Sequence, residues 1–127
     1  TLQLANAIQP NKVIKGTVFP NGEDWFKFDL TTEGTITAQL DMGNRSADLK
    51  LYGPNKSEIV GKEILKSGMI HHTASDLGEY YILVTDGNIN NSPYELIVDI
   101  VWMSLSAFKG DFFNFFLNKF YLWRTTQ

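Results

Sequence analysis

The chain has 127 residues, 43% of them apolar and 20% charged, with a formal net charge of -3 and no cysteine. That is one domain of ordinary size, able to bury about two thirds of its unfolded surface; disulfide scaffolds, thiol catalysis and cysteine zinc sites are excluded. The acidic balance gives no electrostatic footprint for nucleic acid, and 13% aromatic residues argue against disorder.

Residues 1–10 lack the basic start and apolar core of a secretory signal. A chain opening on Thr1 reads as part of a longer or processed protein. Val13-Ile14 and Thr17-Val18-Phe19 lead into Pro20-Asn21-Gly22, a strong turn signal. Residues 25–30 then alternate, with Phe26, Phe28 and Leu30 on one face and Trp25, Lys27 and Asp29 on the other. After a turn at 31–34, residues 35–41 alternate again and send Ile36, Ala38 and Leu40 inward.

Gly43-Asn44 reads as a turn before 48–52, whose Leu49 and Leu51 face the core, with Asp48 expected to cap that turn. Gly53-Pro54-Asn55 ends the strand. Ile59-Val60 predicts a short strand, 62–66 a loop, and 69–73 a strand closed by Ser75-Asp76-Leu77-Gly78. Residues 79–85 set Tyr80, Ile82 and Val84 against Tyr81, Leu83 and Thr85. Asp86-Gly87-Asn88 turns the chain, and 94–101 holds Tyr94, Leu96, Val98 and Ile100 in phase. The expectation is all-β: an antiparallel, jelly-roll-like β-sandwich of about eight strands.

Residues 102–127 differ in kind, holding nine of the chain's 17 aromatic side chains. Phe112, Phe113, Phe116, Leu117, Phe120 and Trp123 fall at helical spacing, which predicts an aromatic C-terminal helix. Lys109, Asp111, Asn114, Asn118 and Lys119 interrupt the run of about 20 apolar residues that a membrane span needs. Such a tail would pack on its own sandwich, on a second copy or on a parent protein, or else is a non-native segment. The division expected is 1–101 for the sandwich and 102–127 for the tail.

Six motifs follow one another in an order that resembles bacterial pre-peptidase C-terminal domains. They are Gly16-Thr17-Val18, Glu23-Asp24-Trp25-Phe26-Lys27-Phe28-Asp29-Leu30, Gly34-Thr35-Ile36-Thr37-Ala38-Gln39-Leu40, Asp48-Leu49-Lys50-Leu51-Tyr52, Gly78-Glu79-Tyr80-Tyr81-Ile82-Leu83-Val84 and Ser92-Pro93-Tyr94-Glu95-Leu96-Ile97-Val98. The resemblance spans about residues 8–101 and leaves the tail without a counterpart. It implies a jelly-roll-like sandwich attached to secreted proteases and often removed during maturation. Related domains of clostridial collagenases bind collagen, and several bind calcium near an N-terminal arm rich in Glu, Asn and Asp. Residues 1–7 carry no carboxylate, so only Glu23 and Asp24 match positions near that site. Calcium needs six to eight oxygens, and no cofactor is expected with certainty.

His71 and His72, the only histidines, are adjacent on a strand and point to opposite faces, so they do not act on one substrate. No Gly-x-Ser-x-Gly elbow, His-Glu-x-x-His motif or phosphate-cradling loop is present. Asp24, Asp29, Asp41 and Asp48 read as a solvated face. An enzyme is not expected. For binding, the informative residues are outward aromatics: Trp25, with Tyr52 and Tyr81 as companions, would cover an extended peptide or stack on a sugar. The alternative places Trp25 under the N-terminal arm or the tail.

The expected function is a non-catalytic accessory domain of a secreted or cell-surface bacterial peptidase. It would attach the parent hydrolase, in cis, to a collagen-like protein or other cell-surface polymer, or assist secretion and maturation. The alternatives are a carbohydrate-binding module and an oligomerisation domain using the tail. No nucleic-acid partner is expected.

Overall fold

The structure, a computed structural model, describes residues 1–102 apart from Gly87 and Ile89. A 3₁₀ turn (Leu2–Leu4) precedes seven strands: β1 (Asn6–Ala7), β2 (Val13–Val18), β3 (Glu23–Leu30), β4 (Gly34–Tyr52), β5 (Glu58–Ala74), β6 (Gly78–Thr85) and β7 (Ser92–Trp102). Phe26, Phe28 and Leu30 occupy every second position of β3, so the pleat sends all three to one side, where each is buried. The same alternation buries Ile36, Ala38 and Leu40, then Leu49 and Leu51, on β4. It buries Tyr80, Ile82 and Val84 on β6, and Tyr94, Leu96, Val98 and Ile100 on β7. These side chains form one cluster, with Phe28 stacked on Tyr80 at 6.0 Å.

The strand order is β1-β3-β6-β4-β7-β2, with β5 beside β4, and every pairing except the parallel β1–β3 contact is antiparallel. β4 serves two halves of the sheet: residues 34–41 pair with β7, and 48–52 pair with β6. β5 follows β4 through both. The sheet therefore curls until its halves face each other across the apolar cluster.

The bend lies where Met42, Gly43, Asn44 and Arg45 of β4 oppose Lys66 alone on β5. Gly43 and Lys66 take positive φ there (65° and 71°), and the Gly43 N–H donates to Asp41 Oδ1 at 2.9 Å. A bulge of this kind raises local twist and redirects a strand without ending it. The described residues thus hold seven strands where about eight are predicted. Segments 35–41 and 48–52 are one strand, as are 59–60 and 69–73, and the two-residue β1 is added. The predicted loop at 62–66 is strand, because its backbone pairs with residues 46–49 of β4. Asp48 lies inside β4 opposite Thr85 and Glu63, so no turn exists for it to cap.

No helix among the described residues is long and apolar enough to cross a membrane. The expected aromatic tail lies, beyond Trp102, outside the described residues.

Candidate functional site

The outward phase of β3, β6 and β4 builds one surface. Register places Trp25 beside Leu83 and Leu83 beside Lys50; one row along, Lys27 pairs with Tyr81 and Tyr81 with Tyr52. Trp25 and Tyr52 flank β6 from opposite sides and meet over it, ring centroids 5.1 Å apart and planes tilted by 53°. Beneath them Tyr81 and Leu83 are each only 5% exposed, although they face away from the core. The three aromatics expected from the sequence therefore lie on one face, with Trp25 and Tyr52 on top and Tyr81 as the floor.

Polar groups frame this surface. Trp25 Nε1 donates to Glu23 Oε1 at 3.0 Å, and the Tyr81 hydroxyl donates to Glu79 Oε1 at 2.8 Å. That bond, followed by burial, raises the Tyr81 pKa above the ordinary phenol value. Lys27 lies 3.9 Å from Glu79, and Lys50 3.5 Å from Glu58. Both pairs are solvated and hold orientation more than they add stability. Sequence reading already set Lys27 with Trp25 and Leu83 with Tyr81 by parity; it missed Lys50, whose shared parity with Tyr52 on β4 was the available signal.

Glu23 and Asp24 do not share a ligand sphere. Glu23 lies on the outer face against Trp25, whereas Asp24 has the inward parity of Phe26 and accepts a 2.5 Å hydrogen bond from the Tyr94 hydroxyl. Opposite faces of one strand do not offer both carboxylates to one cation. The Asp24–Tyr94 bond instead ties the two facing halves of the sheet together. Gly16 makes room for it: a Cβ there would lie 2.6 Å from the Tyr94 hydroxyl oxygen.

Burial, and then the bond to Asp24, pushes the Tyr94 phenol far above its ordinary value of about 10. A phenol whose folded pKa exceeds its unfolded one contributes full stability below pH ~10. That contribution falls as pH rises further, because only the unfolded chain then loses the proton. Tyr94→Phe is expected to cost about 1–3 kcal/mol at neutral pH and to flatten the loss of stability above pH ~10. Urea midpoints measured from pH 8 to 11 for both chains check this; parallel curves would contradict it.

His71 and His72 sit on β5 opposite Thr37 and Ile36 and point to opposite faces. A shallow depression of about 460 Å³ beside Tyr94, lined by Lys15, Thr17, Asp41 and Glu95, lies away from the aromatic face. Among the described residues no three His, Asp or Glu side chains converge.

No protein-family model matches the chain, and no curated protein sequence is significantly similar to it. Solved structures do match. The pre-peptidase C-terminal domain of a Bacillus anthracis collagenase is similar over 75% of this chain and 94% of its own, with 21% identity and a TM-score of 0.64. PliG from Aeromonas hydrophila, a periplasmic inhibitor of g-type lysozyme, is similar over 76% of this chain and 96% of its own, with 14% identity and a TM-score of 0.62. PliG from Salmonella Typhimurium gives 76%, 98%, 16% and 0.53 for the same quantities. At these identities the likeness is one of fold. The chain therefore has the all-β fold of the pre-peptidase C-terminal domain, a fold that the periplasmic lysozyme inhibitors also share.

Proposed function

We propose that this domain is a non-catalytic attachment module of a secreted bacterial peptidase, holding its parent enzyme against an insoluble protein. The observation that carries the reading is the Trp25–Tyr52 pair, propped on Tyr81 and Leu83 and edged by Lys27 and Lys50. Large aromatic rings that are already packed lose little freedom on binding, and such residues dominate interface energies. With their planes tilted by 53°, the two rings do not form the single flat platform on which a sugar stacks, which favours an extended polypeptide. The gain for the parent is effective concentration: tethering makes each later encounter with the polymer intramolecular.

The fold likeness to a collagenase domain supports a peptidase parent in cis and an extracellular setting. Pull-down of the 127-residue chain on insoluble collagen, chitin and peptidoglycan tests the proposal. Retention is expected on collagen, weakened about 10–100-fold by Trp25→Ala with no loss of fold, as for a central hot-spot residue. Retention on none of the three would remove the attachment function. Retention on chitin alone would make the domain a carbohydrate-binding module.

A further inference from the structure

The aromatic face carries more negative charge than its own lysines neutralise. Six carboxylates stand on it: Glu23 and Asp29 on β3, Glu79 on β6, Asp48 on β4, and Glu58 and Glu63 opposite Tyr52 and Asp48 on β5. Lys27 and Lys50 oppose these six, which leaves the face a net charge of -4, against -3 for the whole chain. Both lysines are already committed, to Glu79 at 3.9 Å and to Glu58 at 3.5 Å. Among the described residues Glu23, Asp29, Asp48 and Glu63 have no ion-pair partner, and all four are exposed.

Three of these four fall in one row. Register sets Glu23 beside Thr85, Thr85 beside Asp48 and Asp48 beside Glu63. With strands about 4.8 Å apart, the row crosses about 14 Å of surface. Like charges directly opposite each other, as Asp48 and Glu63 are, work against the folded sheet. The next row begins with Trp25, whose Nε1 donates to Glu23 Oε1 at 3.0 Å, so the ring and the carboxylate row are contiguous.

We propose that the segment gripped by this face is basic: an extended polypeptide that lays one lysine or arginine between Asp48 and Glu63 and another against Glu23 and the Trp25 ring. The inference rests on attachment through Trp25 and Tyr52, and adds the sign of the partner's charge. A cation over an indole face is attracted by the ring quadrupole, and at this position Glu23 attracts it as well. The length of the row matches about four residues of extended chain, enough to place two side chains of one phase along it. The same charges repel an acidic or phosphate-bearing polymer.

Fluorescence anisotropy of short dye-labelled peptides, with the full chain as receptor, tests the charge preference. Three peptides share one apolar composition and carry Lys, Gln or Glu at alternate positions. The Lys peptide is expected to bind about tenfold more tightly than the Gln peptide, and the Glu peptide more weakly than either. The preference should shrink severalfold between about 0.05 and 0.5 M salt. Asp48→Asn combined with Glu63→Gln should weaken the Lys peptide about 3–10-fold. Its thermal midpoint should stay equal or rise, because a like-charge pair is removed. Asp41→Asn combined with Glu95→Gln, on the other half of the sheet, should change affinity by less than about twofold. Equal binding of the three peptides, lowered together by Trp25→Ala, overturns the charge preference and leaves the attachment reading standing. Lys-peptide binding that survives Trp25→Ala overturns the attachment reading, and this inference with it. An unchanged affinity after Asp48→Asn and Glu63→Gln overturns the proposal as well.

Discussion

Phe28→Ala is expected to lower the stability of this domain by about 3–5 kcal/mol, the range for an aromatic side chain removed from a closed core. Phe28 is 3% exposed and lies at the middle of β3, between β1 and β6. Its ring stacks on Tyr80, its direct partner across the β3–β6 ladder, with planes 20° apart. Tyr80 in turn is fixed by its hydroxyl, which donates to Asp76 O at 2.6 Å, so it does not readily tip into the space left behind. The cavity therefore stays open and its cost adds to the lost transfer energy.

Domains of this size hold about 5–15 kcal/mol in all, so the variant should unfold at a much lower urea concentration. Leu65→Ala on β5 is the control: that side chain is 66% exposed, and its loss should stay within about 0.5 kcal/mol. Equal effects from the two substitutions would mean that the apolar cluster is not where the curled sheet derives its stability.

The inward phases of β3, β4, β6 and β7 were legible in the sequence because a half-buried strand writes its environment at period two. Phe26, Ile82 and Leu96 could hardly face anywhere else. The joining of 35–41 to 48–52 was not legible. A glycine with positive φ looks the same whether it sits in a turn or in a bulge, and only the partner strand decides between them. Exposed Leu65 and Lys66 on β5 show no clean alternation for the same reason: one side of that strand is pinned to β4 while the other pairs with nothing among the described strands. β1 has only two residues and escaped notice because so short a pairing leaves no pattern.

At the candidate site, Trp25 and Tyr81 were legible from parity. The approach of Tyr52 to Trp25 across β6 depends on a strand order that no local pattern encodes. The cross-sheet bond from Tyr94 to Asp24 was hidden likewise, since its partners are 70 residues apart.

The outer face carrying Trp25 and Tyr52 should lose its grip entirely when it is covered, whereas the face of the opposite half should not. Lys27 stands in the row of Tyr81 and Tyr52, and Thr37 stands on the far half beside His71 and Asp99. Because the chain has no cysteine, Lys27→Cys and Thr37→Cys each give a single handle for a bulky maleimide-linked polyethylene glycol. Both positions are partly exposed strand sites, so neither label has to enter the core. Blocking a hot-spot face removes at least ~2 kcal/mol, more than tenfold in affinity.

The decisive measurement is retention of the two labelled chains on the insoluble protein that holds the unlabelled one. The label at position 27 is expected to abolish retention, and the label at position 37 to leave it within about twofold. Retention lost with the label at 37 and kept with the label at 27 would place the grip on the other face and contradict the account.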